Sequence, residues 1–303
     1  MRQLTVTLAV LGVLTLFSMR LNGQTSSDNY ISAKDGTRLF VKKSGNGAIC
    51  IFIHGGPGAW SKSFEDLKGS NLEQHLSMVY YDQRGCGRSD KSANGNYSLQ
   101  TMVDDIDLIR QHFKADKVYL LAHSFGGILA ANYALKYPDH VKGLILTNST
   151  LNLRYSLENQ IGYMGKLLNS DFRPKDRSNK SLMAAFMKAK RLLTEKHLDY
   201  KMLSDNKRSV DQVDQIDQKN PSDFDFAKHV FQVEDYWKDY SASSREIKVP
   251  VLVITGTKDH AIGEDHYKSF QFLNQQIAKI QGGHLLYYEN NSAFLKAVFG
   301  FIE

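Results

Sequence analysis

Cysteine is scarce in this chain. Two residues, Cys50 and Cys86, occur in 303, which excludes a small scaffold built from disulfides. Cys50 lies in an apolar run and Cys86 in a glycine-rich loop. Neither has the His-plus-acid setting of a nucleophilic thiol, and a core this large needs no staple, so both are read as free thiols. There is no H-E-x-x-H and no paired C-x-x-C, so no metal site is expected. No glycine-rich dinucleotide or phosphate loop follows the first strand, so no cofactor is expected. The net charge is +6, yet no long Lys/Arg block accompanies it. The excess reads as dispersed, and a nucleic-acid partner is not expected. Internal repeats and low-complexity tracts are absent.

What is present is an ordinary globular composition, 42% hydrophobic and 23% charged. The length accommodates one large α/β domain with an insertion, or two domains. Residues 1–23 stand apart. Arg2 precedes the apolar run Leu4–Phe17, which is too short to span a bilayer comfortably. Ser18–Gly23 follows as a cleavage region. These residues read as a secretory signal peptide, which predicts an exported protein, periplasmic or extracellular, with no stable membrane association once it is cut. Removing Arg2 and Arg20 leaves the mature chain near +4.

Strand patterns recur along the rest. Residues 30–33 and 37–43 read as a hairpin around Lys34-Asp35-Gly36. Short apolar runs at 48–53, 77–81, 117–122, 141–147 and 249–255 read as further strands, and 276–281 reads as the last one. Ser98 can cap a helix to about Phe113, with Met102, Ile106, Ile109 and Phe113 on one face. Further helices are expected at 128–135, at 264–272 and over the last ten residues. Between 151 and 245 no strand pattern appears, and Leu182, Phe186, Ala189 and Leu193 share a helical face. The chain therefore divides into a core, 24–150 with 246–303, and a helical cap, 151–245, inserted before the last two strands. Alternating strands and helices predict a mostly parallel eight-stranded sheet covered on both faces.

In such sheets, ligands gather at the carboxyl ends of the strands. His54, Asp82, Ser124, Asp259 and His284 all follow strand patterns directly. Ser124 lies in Ala122-His-Ser-Phe-Gly-Gly127, a tight strand-to-helix turn close to the G-x-S-x-G nucleophile elbow. A serine hydroxyl needs a base, and the base needs an orienting group. His284 is the expected base and Asp259 the expected acid, with His260 and His266 as weaker bases and Asp265 as the fallback acid. The order Ser, Asp, His is that of an α/β-hydrolase fold. The oxyanion would be held by the backbone N–H of Phe125 and by one from His54-Gly-Gly-Pro-Gly58, most directly Gly56.

Three stretches together, His54-Gly-Gly-Pro-Gly58, Asp82-Gln-Arg-Gly-Cys-Gly-Arg-Ser89 and the elbow, resemble the proline iminopeptidase branch of the α/β-hydrolase superfamily. The resemblance implies a serine hydrolase that forms an acyl-enzyme and releases an N-terminal residue, often proline, from small peptides. It also implies that cap acids hold the substrate amine, and Glu234, beside Asp235 and a group of aromatics, is the candidate. Asp82 and Arg84 are read as locking their loop. The elbow Ala122-His-Ser-Phe-Gly126 lacks the G-x-S-W-G form that many iminopeptidases carry, and His123 and Phe125 beside Ser124 are more like those of general esterases. A carboxylesterase acting on small esters is therefore the second reading, and a non-catalytic ligand-binding protein a distant third.

Overall fold

The computed structural model describes residues 29–219 and 222–303, so the signal-peptide reading of 1–23 lies outside the described residues. Eight strands form one sheet: β1 (Tyr30–Ser32), β2 (Arg38–Ser44), β3 (Ala48–Ile53), β4 (Leu76–Tyr81), β5 (Val118–His123), β6 (Val141–Thr147), β7 (Val251–Gly256) and β8 (Gln275–Ile280). Their spatial order is β1-β2-β4-β3-β5-β6-β7-β8. The β1–β2 and β2–β4 pairs are antiparallel, and every pair from β4 to β8 is parallel.

The central strands are apolar because both faces are covered. Ile51, Ile53, Leu120 and Ala122 belong to one core, while their neighbours Cys50, Phe52, Tyr119 and Leu121 belong to the other. That alternation is the two-residue period of a strand. At roughly 1.5–3 kcal/mol for each large apolar side chain removed from water, these two layers dominate the fold's stability. Cys50 and Cys86 are buried free thiols, as the sequence reading expects.

The helices are α1 (Ser61–Asp66), α2 (Leu99–His112), α3 (Gly126–Lys136), α4 (Leu153–Leu168), α5 (Asn179–Glu195), α6 (Lys207–Lys219), α7 (Asp225–His229), α8 (Leu286–Glu289) and α9 (Asn291–Ile302). Ser98 caps α2, its hydroxyl accepting from Thr101 N–H. At the start of α3, Gly126 lets helix and sheet close up: a Cβ there would lie 2.3 Å from the Ile53 carbonyl oxygen. Among the described residues, no helix is long and apolar enough to cross a membrane.

Helices α4 to α7 lie between β6 and β7, where the sequence shows no strand pattern. They are fastened to the core at named points. Asp223 and Gly87 exchange backbone hydrogen bonds of 2.8 and 3.0 Å, and Phe226 N–H donates to Gly85 O at 3.1 Å. Trp60 Nε1 and Ser63 Oγ both donate to Asp217 of α6, at 2.7 and 3.2 Å.

The helix expected at 264–272 does not form. Only a 3₁₀ turn, His266–Ser269, appears there. Beyond it Phe270 and Phe272 are buried while Gln271 and Leu273 are exposed, the alternation of an extended chain. Two aromatics two residues apart fill the core better from an extended segment than from a helix, whose successive side chains turn by about 100°.

Candidate active site

The residues at the carboxyl ends of β3, β5, β7 and β8 are packed against one another. Ser124 follows β5 directly with φ of 58°, in the left-handed region that non-glycine residues seldom occupy. Such a conformation persists where the surroundings over-determine it, and here they do. Ser124 N–H donates to Asn148 O at 3.1 Å, and its carbonyl accepts from Gly127 N–H at 3.1 Å and Thr150 N–H at 3.0 Å. The helix α3 starts immediately beyond, so its unpaired N–H groups favour negative charge near the serine.

Asp259 and His284 meet at the next rim positions. His284 Nδ1 lies 3.1 Å from Asp259 Oδ1 and 3.2 Å from Oδ2. A carboxylate only accepts, so Nδ1 carries the proton and Nε2 is left with its lone pair. Asp259 is itself fixed by the N–H groups of Ala261 and Ile262, at 3.0 and 3.1 Å. Asp259 and His284 are buried, and Ser124 is 9% exposed. No hydrogen bond joins Ser124 Oγ to another described residue; the bonds at this rim join His284 to Asp259. Catalytic hydrogen bonds of unliganded enzymes often close only when substrate binds.

The turn after β3 leans on the serine. A Cβ at Gly55 would lie 2.5 Å from Ser124 Cβ, so only glycine fits. Gly56, the predicted donor, is next along, with φ of 116°. The N–H groups of Gly56 and Phe125 donate to no acceptor among the described residues. His54 has a structural role: its Nε2 accepts from Gln83 N–H at 2.9 Å, and its Nδ1–H donates to Gly55 O at 2.9 Å. Burial holds its pKa below the ordinary histidine value.

Asp82 and Arg84 do lock their loop, but through different partners. Asp82 accepts from Arg88 Nε at 2.7 Å and from Ser61. Burial pushes its pKa up, and the ion pair with Arg88 more than reverses this, leaving the carboxyl below its usual range. Arg84 reaches α2, where it makes two 2.7 Å bonds to Asp105, and also binds Asp35.

The weaker candidates have other partners. His260 stacks on Tyr163 with ring centroids 3.7 Å apart. His266 Nε2 accepts from Leu151 N–H at 3.0 Å. Asp265 pairs with Lys268 on the surface. His123 turns its Nε2 to the His284 carbonyl at 3.1 Å, and its ring lies 4.5 Å from that of His284. Burial, then the neighbouring His284 charge, lowers its pKa to about 3, so it stays neutral at working pH.

Glu234 is a surface residue of the cap. It lies in a 3₁₀ turn, and neighbouring Asp235 pairs with Lys238 at 2.6 Å. It is Tyr236 of this turn that faces inward: it packs with Phe226 around the Phe125 ring, at centroid distances of 5.4 and 5.8 Å from Phe125. Two cap acids are turned toward the core, Asp217 and Asp225, the second accepting from Tyr97 Oη at 2.7 Å; sequence reasoning singled out neither. Burial raises the pKa of Asp217. The sequence offered Asp211, Asp214 and Asp217 at three-residue spacing with nothing to distinguish the inward one. Asn148 was also missed, although it follows β6 directly and the strand-end rule would have found it. Among the described residues there is no group of His, Cys, Asp or Glu able to hold a metal ion.

Residues 50–291 match the family described as alpha/beta hydrolase fold. A proline iminopeptidase of Heyndrickxia coagulans is 35% identical over 129 residues, 42% of this chain and 44% of that protein. One of Thermoplasma volcanium is 36% identical over 104 residues, 33% and 34% of the two chains. These alignments span less than half the length of the curated relatives. Among solved structures, a proline iminopeptidase-related protein from Thermus thermophilus superposes with a TM-score of 0.73 at 18% identity, over 89% of this chain and 94% of that one. An esterase from Exiguobacterium antarcticum gives a TM-score of 0.66 at 20% identity, over 90% and 98%. Sheet order, capped insertion and family match agree: this chain belongs to the alpha/beta hydrolase family.

Proposed function

We propose that this hydrolase works through Ser124 as nucleophile, His284 as base and Asp259 as the group that orients the base. The observation that carries the reading is the buried Asp259–His284 hydrogen bond at the same rim as a strained Ser124. His284 Nε2 takes the hydroxyl proton as Ser124 Oγ bonds to the substrate carbonyl carbon. The carbonyl oxygen gains the negative charge and is held by the N–H groups of Phe125 and Gly56, with Gly55 as the neighbouring donor. Collapse breaks the bond to the leaving group, which departs with the proton from His284. Water then repeats the sequence on the acyl-enzyme.

The substrate class proposed is a short peptide with a free N-terminal residue, proline or another small one. Its support is the pair of loop motifs and the similarity to proline iminopeptidases over part of the chain. Asp217 suits the substrate amine better than Glu234, because it is half-buried and turned toward the core. The second reading, a carboxylesterase, is favoured by His123 and Phe125 beside the serine. Export through residues 1–23 belongs to the same proposal and rests on the sequence.

Prolyl-arylamide and short-acyl ester substrates, assayed with the same purified protein, separate the two readings. The aminopeptidase reading expects arylamide turnover that Ser124→Ala abolishes and that Asp217→Asn weakens through KM, with Glu234→Gln near wild type. Vigorous ester turnover without arylamide cleavage would replace it with the esterase reading.

A further inference from the structure

One buried residue outside the groups assigned above touches three of the loops at the rim. Asn148 follows β6 with φ of 43°, a left-handed conformation that asparagine tolerates better than most residues, and it is 2% exposed. Every polar group it owns is in use. Its N–H donates to Ile254 O at 2.8 Å, and its carbonyl accepts from Ser124 N–H at 3.1 Å. Its Oδ1 accepts from Gly256 N–H at 2.7 Å. Its Nδ2 donates to Gly283 O at 3.0 Å and to His284 O at 3.1 Å.

These bonds go to different segments. Two reach the end of β7, three residues before Asp259. One reaches the elbow. Two reach the turn that carries His284. The same turn has three other ties: His123 Nε2 donates to His284 O, His284 N–H donates to Leu203 O of the cap at 2.8 Å, and Lys258 N–H donates to Gly282 O at 3.0 Å. Among the described residues, the side-chain amide of Asn148 is the side-chain group that joins this turn to the end of β7, beside one backbone bond from Lys258. The His284 ring is thus held at Nδ1 by Asp259 and at its backbone by Asn148.

We propose that Asn148 is a positioning residue whose side-chain amide sets where the His284 turn stands relative to Ser124 and Asp259. This rests on the reading of Ser124 and His284 as nucleophile and base. A misplacement of about 1 Å in such an arrangement can cost on the order of 100-fold in rate.

Two variants separate the amide's two ends. Asn148→Asp keeps an acceptor for Gly256 N–H but turns an oxygen, in place of NH₂, toward the Gly283 and His284 carbonyls. Asn148→Gly deletes the side chain and accepts the positive φ without strain. In the full chain, amide hydrogen exchange is followed over residues 283–287, alongside the rate at which a fluorophosphonate labels Ser124 and the melting temperature. In both variants, exchange at His284 and Leu286 should rise at least about tenfold while β3 and β5 keep their protection, and labelling should slow by about 10- to 100-fold. Unchanged exchange at 283–287 in either folded variant, or Asn148→Asp labelling at the wild-type rate, would overturn the proposal. So would exchange rising evenly across the sheet with a lowered melting temperature, which marks a purely structural residue. Loosening of 283–287 in both variants, with no labelling of Ser124 even in the wild type, would uphold the fastening and remove the serine reading instead.

Discussion

The core and the cap of this protein are held by different kinds of contact. Around the sheet rim, charged groups are buried and answered several times over. Arg84 is 1% exposed and binds both Asp105 and Asp35, and Asp82, fully buried, is bound by Arg88 and Ser61. On the cap, ion pairs such as Arg154–Glu158, Arg191–Glu195, Lys207–Asp211 and Lys238–Asp235 lie in water, where each contributes little. Charge is divided unevenly as well. Residues 166–196 hold nine Lys or Arg against three Asp or Glu, a surplus of six that equals the whole chain's net +6. The excess that reads as dispersed along the sequence is concentrated at the α4–α5 end of the cap. Under the proposed mechanism the difference separates two tasks: the rim holds the proposed reacting groups, and the cap carries a solvated surface that can vary without disturbing them.

Substitutions can break that comparison, and the largest effects should fall at the rim. His284→Ala is expected to reduce kcat/KM by about 10⁴-fold or more, with the melting temperature little changed; steady-state kinetics on the better of the two substrates reads this. Next comes Arg84→Met, which leaves Asp105 buried without its partner. Urea unfolding should show a loss of about 3–5 kcal/mol, because removing one member of a buried pair strands the other charge.

Acid should act on the same region more gently. His123 and His266 are kept neutral by burial, with pKa values lowered to about 3 and about 4, and His54 is lowered too. The unfolded chain takes up protons on these side chains near pH 6.5, while the folded chain does not until much lower pH. Stability should therefore fall as pH drops below about 6.5, and His266→Phe should flatten the fall. Melting temperatures from pH 8 to pH 4.5 check the sign. The smallest effect belongs to the cap: Lys188→Gln with Arg191→Gln should leave stability within about 0.5 kcal/mol of wild type by urea unfolding.

How much of this was legible in the sequence follows the same division. The strands were readable because β3 to β7 are buried on both faces and so appear as continuous apolar runs. Ser124 and Asp259 were readable as candidates because each follows such a run, and His284 because it follows the last strand, β8, an exposed and more polar one; topology alone brings strand ends to one rim. The cap was readable only as helical. Glu234 and Asp217 are both acids on cap segments, and which one faces inward depends on how α6 docks on Trp60 and Ser63, a contact between residues more than 150 apart. The segment 264–272 misled for a related reason: Phe270 and Phe272 are placed by the core they fill, against the local helical pattern.

The most direct measurement of the central claim is the site and rate of covalent labelling by a fluorophosphonate, read by intact mass and peptide mapping. The account predicts one adduct per chain, on the peptide carrying Ser124. Its rate should fall in Asp259→Asn and fall further in His284→Ala. An adduct on a different residue, or one that forms on Ser124 at the same rate in all three proteins, would contradict it.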